Sequence, residues 1–69
     1  MAEHQNMVRK WRRWLEMSQA DLAERAGVSR QTIANIERGN YSPSVYLALD
    51  ICRELGKPVE EIFGDEQHD

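Results

Sequence analysis

A lone cysteine, Cys52, leaves this chain unable to close an internal disulfide, which excludes the small bridged scaffolds of secreted domains. The thiol is expected as core filler. Histidine is scarce too: His4 and His68 stand near the two ends, no spacing of metal ligands exists, and no nucleophile stands beside a base. Metal: none, cofactors: none and no enzyme is the expectation. No apolar run approaches a membrane span, and the opening MAEHQN has no signal-peptide pattern, so the expected location is cytoplasmic, with no membrane partner. With two Trp, two Tyr and one Phe, the chain also lacks the stacking platform that single-stranded RNA requires. What remains is a 69-residue chain that can hold one core, and at this size an oligomer is a reasonable expectation.

The informative stretch is Ser18 to Gly39, SQADLAERAGVSRQTIANIERG. Ser18 caps a helix, with Asp21 in the acidic position of a capping box and Leu22 and Ala23 on the inward side. Gly27 suits the left-handed end of that helix. Val28 supplies the turn with one buried side chain, and Ser29 caps the next helix. There Ile33, Ile36 and Glu37 share one side, while Gln31, Asn35 and Arg38 project from the other. The spacing predicts two crossed helices joined by a tight turn, the second presented to a DNA major groove.

Similarity extends beyond this motif. Through QADLAERAGVSRQTIANIERGNYSPS, the later LALDICRELG and a closing VEEIFG, the chain resembles the helix-turn-helix domain of phage repressors and bacterial xenobiotic-response-element regulators, from Met7 to Gly64. The resemblance implies an all-α, five-helix DNA-binding domain. It also implies that Arg12 and Glu37 form an ion pair tying the first helix to the third, and that Gln19 clamps the DNA backbone. One departure stands out. Glu16 occupies a place where such chains commonly carry a helix-ending glycine, which is expected to lengthen the first helix or shift its end.

Helices are expected from about Asn6 to Glu16, at the two motif segments, from Ser44 to Leu55, and in a short last segment that Pro58 starts. They form a single domain over residues 1–69, with an ordered core of about 6–64 and an acidic tail at 65–69. In the first helix RKWRRW makes an amphipathic stripe of Val8, Trp11 and Leu15 backed by Arg9, Lys10 and Arg13. Trp14 sits at its edge, partly covered. The fourth helix is expected to bury Val45, Ala48, Leu49, Cys52 and Leu55. That leaves Leu47 and Ile51 to be covered by Val59, Ile62 and Phe63, or by a second copy across a dimer surface.

A net charge of −3 argues at first against a DNA binder. The distribution answers it. Seven basic and five acidic residues up to Leu49 leave +2, while two basic and seven acidic residues from Asp50 onward leave −5. A phosphate backbone feels the local field of one face.

Each candidate contact has its own chemistry. Gln31 carries an amide whose donor and acceptor match adenine. Arg30 lies in the first turn of its helix, where an anionic or guanine partner offsets an unfavourable dipole of up to about 1 kcal/mol. Thr32 offers a methyl or a hydroxyl, and Asn35 lies one turn beyond Gln31. These four are the expected base readers. Gln19, Ser29, Arg38, Asn40 and Tyr41 are the expected backbone contacts. The function that follows is a sequence-specific double-stranded DNA-binding transcriptional regulator, a repressor acting as a homodimer on a palindromic operator. The alternative is an antitoxin-like or adaptor protein that binds a partner through Trp14 or the acidic tail. With no room for an effector domain, control is expected through abundance, a protein partner or competition at the operator.

Overall fold

A computed structural model describes residues 5–64, so His4, His68 and the acidic tail at 65–69 lie outside the described residues. The order is α1 (Val8–Trp14), α2 (Gln19–Ala26), α3 (Arg30–Glu37), α4 (Val45–Leu55) and α5 (Val59–Phe63), with no strand among the described residues. None of these helices is long and apolar enough to cross a membrane.

Local chemistry starts the middle helices. The hydroxyls of Ser18, Ser29 and Ser44 accept from the backbone N–H groups of Asp21, Thr32 and Leu47 at 2.9, 3.1 and 3.1 Å. At α2 the box closes, because Asp21 Oδ2 accepts from the Ser18 N–H at 3.0 Å. That backbone bond and the Ser18 hydroxyl hold the Asp21 carboxyl below its ordinary pKa.

One bonding pattern ends α1, α2, α3 and α4. The N–H of Met17, Val28, Asn40 and Lys57 each turns back to the carbonyl five residues earlier, on Arg12, Ala23, Asn35 and Cys52, at 3.0–3.2 Å. Gly27, Gly39 and Gly56 supply the left-handed residue before that bond, with φ of 77°, 82° and 72°. At α1 the same place belongs to Glu16, with φ of 60°. The helix is therefore not lengthened. It stops at Trp14, and Leu15, expected in the buried stripe, is 45% exposed. A side chain in this conformation costs roughly 1–2 kcal/mol. Part of that is recovered in glycine's looser unfolded chain, so Glu16→Gly should stabilise the domain by about 0.5–1 kcal/mol and raise Tm by a few degrees. A lower Tm in thermal unfolding would show that the Glu16 side chain has a stabilising contact.

The core joins all five helices through Val8, Leu22, Ala23, Ile33, Ile36, Ile51, Cys52, Leu55 and Ile62. Each fully buried leucine or isoleucine contributes about 1.5–3 kcal/mol. Cys52 is buried, and burial pushes its thiol pKa up, which keeps it protonated. At the N-terminal side, the Met7 N–H donates to the Ile62 carbonyl at 2.8 Å and ties α1 to α5.

The buried face of α4 differs from expectation. Leu47 and Ile51 belong to it, Ile51 at 0% exposure, whereas Val45 and Leu49 are 70% and 45% exposed. Almost every turn of this helix carries apolar residues, so a helical wheel offers more than one stripe, and the packing of α1, α2 and α5 selects among them. Ile62 is likewise at 0% exposure, and Phe63 packs against the core. Ile51 and Ile62 therefore cannot form a dimer surface. The exposed apolar residues on α4 are Val45, Tyr46 and Leu49.

Candidate nucleic-acid interface

The first turn of α3 and the turn before it place Ser29, Arg30 and Gln31 in solvent, with Thr32 and Asn35 half-buried behind them. Arg38 and Asn40 are exposed beyond the helix, and so is Tyr41, at 49%. Three pairs form on this face. Gln31 Nε2 donates to Asn35 Oδ1 at 3.2 Å, one turn along the helix. Ser29 Oγ and Thr32 Oγ1 share a hydrogen bond at 2.9 Å, so both hydroxyls serve the cap while facing outward. Arg30 Nη1 donates to Gln19 Oε1 at 3.0 Å, bridging the two motif helices.

Beneath the face lies a carboxylate that accepts three hydrogen bonds. Arg12 Nε donates to Glu37 Oε2 at 2.6 Å and Arg12 Nη2 to Glu37 Oε1 at 3.2 Å, a two-pronged pair. Their side chains are 10% and 5% exposed. Arg12 Nη1 caps the Met17 carbonyl at 2.8 Å, and Gln19 Nε2 donates to Glu37 Oε1 at 3.1 Å. No buried side-chain polar atom is left unpartnered among the described residues. The pair thus fixes α1 to α3 and, through Met17, to the turn preceding α2.

The Asn6 and Lys57 contacts had no expectation behind them. Asn6 caps α1 by accepting from the Val8 N–H at 3.1 Å and donates from Nδ2 to the Ile36 carbonyl at 2.8 Å, near the end of α3. Its place two residues before an apolar helix is a readable cap signal; its bond to a residue 30 positions away is not. Lys57 Nζ lies 4.1 Å from the centre of the Trp11 ring, a cation–π contact that covers the half-buried indole. Trp14, expected to be partly covered, is 75% exposed and meets Trp11 edge-on with ring centres 6.4 Å apart. Tyr41 lines a cleft of about 210 Å³ with Gln5, Asn6, Ser42, Pro43 and Phe63, a lining that includes neither Gln31 nor Asn35.

Two short helices crossing under a polar outward face, the second of them tied to α1 by a buried ion pair, now stand beside known proteins. A family model described as helix-turn-helix matches residues 8–62. The chain belongs to that helix-turn-helix family. It is the type found in phage repressors and xenobiotic-response-element regulators. A helix-turn-helix-type transcriptional regulator of Methanothermobacter thermautotrophicus is 50% identical over 58 residues, covering 83% of this chain and 84% of the relative. The immunity repressor of Bacillus phage phi105 is 36% identical over 59 residues, or 86% of this chain and 41% of the repressor. Among solved structures, the N-terminal DNA-binding domain of SinR from Bacillus subtilis has a TM-score of 0.75 at 28% identity, with 90% of each chain covered. The protein is a transcriptional regulator with a DNA-binding helix-turn-helix domain, and its partner is double-stranded DNA.

Proposed function

We propose that this helix-turn-helix protein is a repressor that occupies a palindromic operator as a homodimer, reading the major groove with α3. One observation carries the base-reading part: Arg30, Gln31 and Asn35 lie on one face, and that face is braced from below by the Arg12–Glu37 pair. A rigid support matters because misplacing a recognition side chain by about 1 Å forfeits its geometry. Gln31 reads adenine through its amide, Arg30 reads guanine, and Thr32 and Asn35 contact neighbouring bases. Ser29, Arg38, Asn40 and Tyr41 hold the sugar-phosphate chain, together with the Nε2 hydrogen of Gln19 that Glu37 does not take. The whole chain acts as one domain without catalysis, and repression is steric.

Support for the dimer comes from α4, where Val45, Tyr46 and Leu49 are 70%, 80% and 45% exposed. Exposed apolar side chains adjoining along one helix are a common mark of an interface. A two-fold axis there sets two copies of α3 on half-sites about 34 Å apart.

Selection of duplexes from a random DNA library at near-physiological salt should enrich an inverted repeat. The absence of any enriched sequence with folded protein defeats the reading. Sedimentation on the enriched duplex should give two chains per site, and Tyr46→Glu should reduce that to one. A single wild-type chain per site rules out the dimer.

A further inference from the structure

α1 carries its charge on the side away from the core. With the buried Arg12 at zero on a wheel of about 100° per residue, Arg9, Arg13, Lys10 and Trp14 fall at roughly 60, 100, 160 and 200°. All four are exposed, Trp14 at 75%, and none of the three cations forms an ion pair among the described residues. A fourth cation reaches the same place from the turn after α4. Lys57 Nζ lies 4.1 Å from the centre of the Trp11 ring, and Lys10 Nζ lies 5.1 Å from it. Trp11 in turn meets Trp14 edge-on, with ring centres 6.4 Å apart. The ring contacts hold two ammonium groups and one exposed indole in place, so ordering them on a partner costs less than ordering free side chains.

The position of this patch decides what it can meet. Arg12 points at Glu37, so the opposite side of α1 is turned away from α3. On α3, Glu37 lies roughly 200–240° round from Asn35 and Gln31, so those two are turned away from α1. The two faces look in opposite directions, and a duplex read by α3 lies on the far side of the domain from Trp14. A bilayer fits poorly as well. α1 has seven residues, and Trp14 and the adjoining Leu15 are the exposed large apolar side chains there, too little apolar surface for a helix that lies in a membrane interface. A central indole ringed by cations without carboxylate partners is instead complementary to an acidic protein surface. Tryptophan is the kind of side chain that anchors protein interfaces, and the surrounding charge selects the partner and speeds its approach.

We propose that the outward face of α1 docks an acidic segment of another protein, with an apolar side chain of that segment against Trp14 and its carboxylates on Lys10, Arg13 and Lys57. The site adds a protein partner to the DNA-binding role. Because it faces away from α3, the partner and the duplex are held at the same time, and the regulator brings the partner to its operator.

The test uses the whole chain and a short labelled peptide with glutamates on either side of a Phe-Leu pair, followed by anisotropy and by tryptophan emission at near-physiological salt. Wild type should bind the peptide, and the emission should move to shorter wavelength as Trp14 is covered. The selected duplex should change peptide affinity by no more than about twofold, since charge at that distance is screened. Trp14→Ala should weaken the peptide by about tenfold, as loss of a central aromatic anchor does. Lys10→Gln with Arg13→Gln should weaken it by about fivefold, mainly through slower association. Both variants should bind the duplex as wild type does, which also shows that they fold. The inference is overturned if folded, duplex-binding protein ignores the glutamate peptide, or if a glutamine version of the peptide binds equally well. A salt slope on duplex lower by about 2 in the Lys10 and Arg13 variant also overturns it, because the face is then a phosphate contact. So does binding to phosphatidylglycerol vesicles that Trp14→Ala abolishes while the peptide stays unbound. The peptide measurements need no DNA, so they stand whether or not α3 reads bases as proposed.

Discussion

Arg12→Ala is expected to lose about 3–5 kcal/mol of stability, because it strands the Glu37 carboxylate at a position where the side chain is 5% exposed. Glu37→Ala should lose as much by stranding Arg12. At about 0.05–0.15 kcal/mol per residue, a domain of this length has roughly 3–10 kcal/mol in all, so either variant should lose a large share of its stability. The size of the effect reflects the penalty of one unpaired buried charge more than the strength of the pair. Replacing both members by apolar side chains, Arg12→Met with Glu37→Leu, should therefore recover most of the loss. Urea unfolding monitored by circular dichroism measures all three. Single variants that lose less than about 1 kcal/mol would mean that water reaches the pair and screens it.

Gln31→Ala and Arg38→Ala should separate two kinds of DNA contact. Removing the Gln31 amide is expected to relax preference at one base pair by about 1–3 kcal/mol, with little change on unrelated sequences. Removing Arg38 should weaken binding to all duplexes alike and reduce the slope of log K against log salt by about 1, as loss of one phosphate contact does. Titrations on the selected duplex and a scrambled one, at several salt concentrations, read both quantities. Equal loss on every duplex for Gln31→Ala would defeat its assignment as a base reader. An unchanged salt slope for Arg38→Ala would place that guanidinium away from phosphate.

Legibility along this chain followed the range of the interaction involved. The caps at Ser18 and Ser29 and the turn at Gly27 were readable because each bond lies within five residues of the one that makes it. Glu16 showed both sides of this rule. The missing glycine was visible, yet the outcome was not a longer helix. The Met17 N–H bonds to the Arg12 carbonyl, and Met17 packs against the core, so tertiary contact holds Glu16 in the left-handed region despite its side chain. On α4 the apolar pattern alone left two faces open. Only the neighbours on each side made Ile51 core and Val45 surface.

By itself the amino-acid sequence determined the number and type of the elements, the tight turn between α2 and α3, and which side chains of α3 face away from the core. Those are consequences of local hydrogen bonding and of a 3.6-residue period. Tertiary structure alone decided which stripe of α4 is covered. It alone joined Arg12, Gln19, Arg30 and Glu37 into one line, because that line is assembled from three helices and the Gln19 amide takes its orientation only once the Glu37 carboxylate and the Arg30 guanidinium have been brought to opposite sides of it.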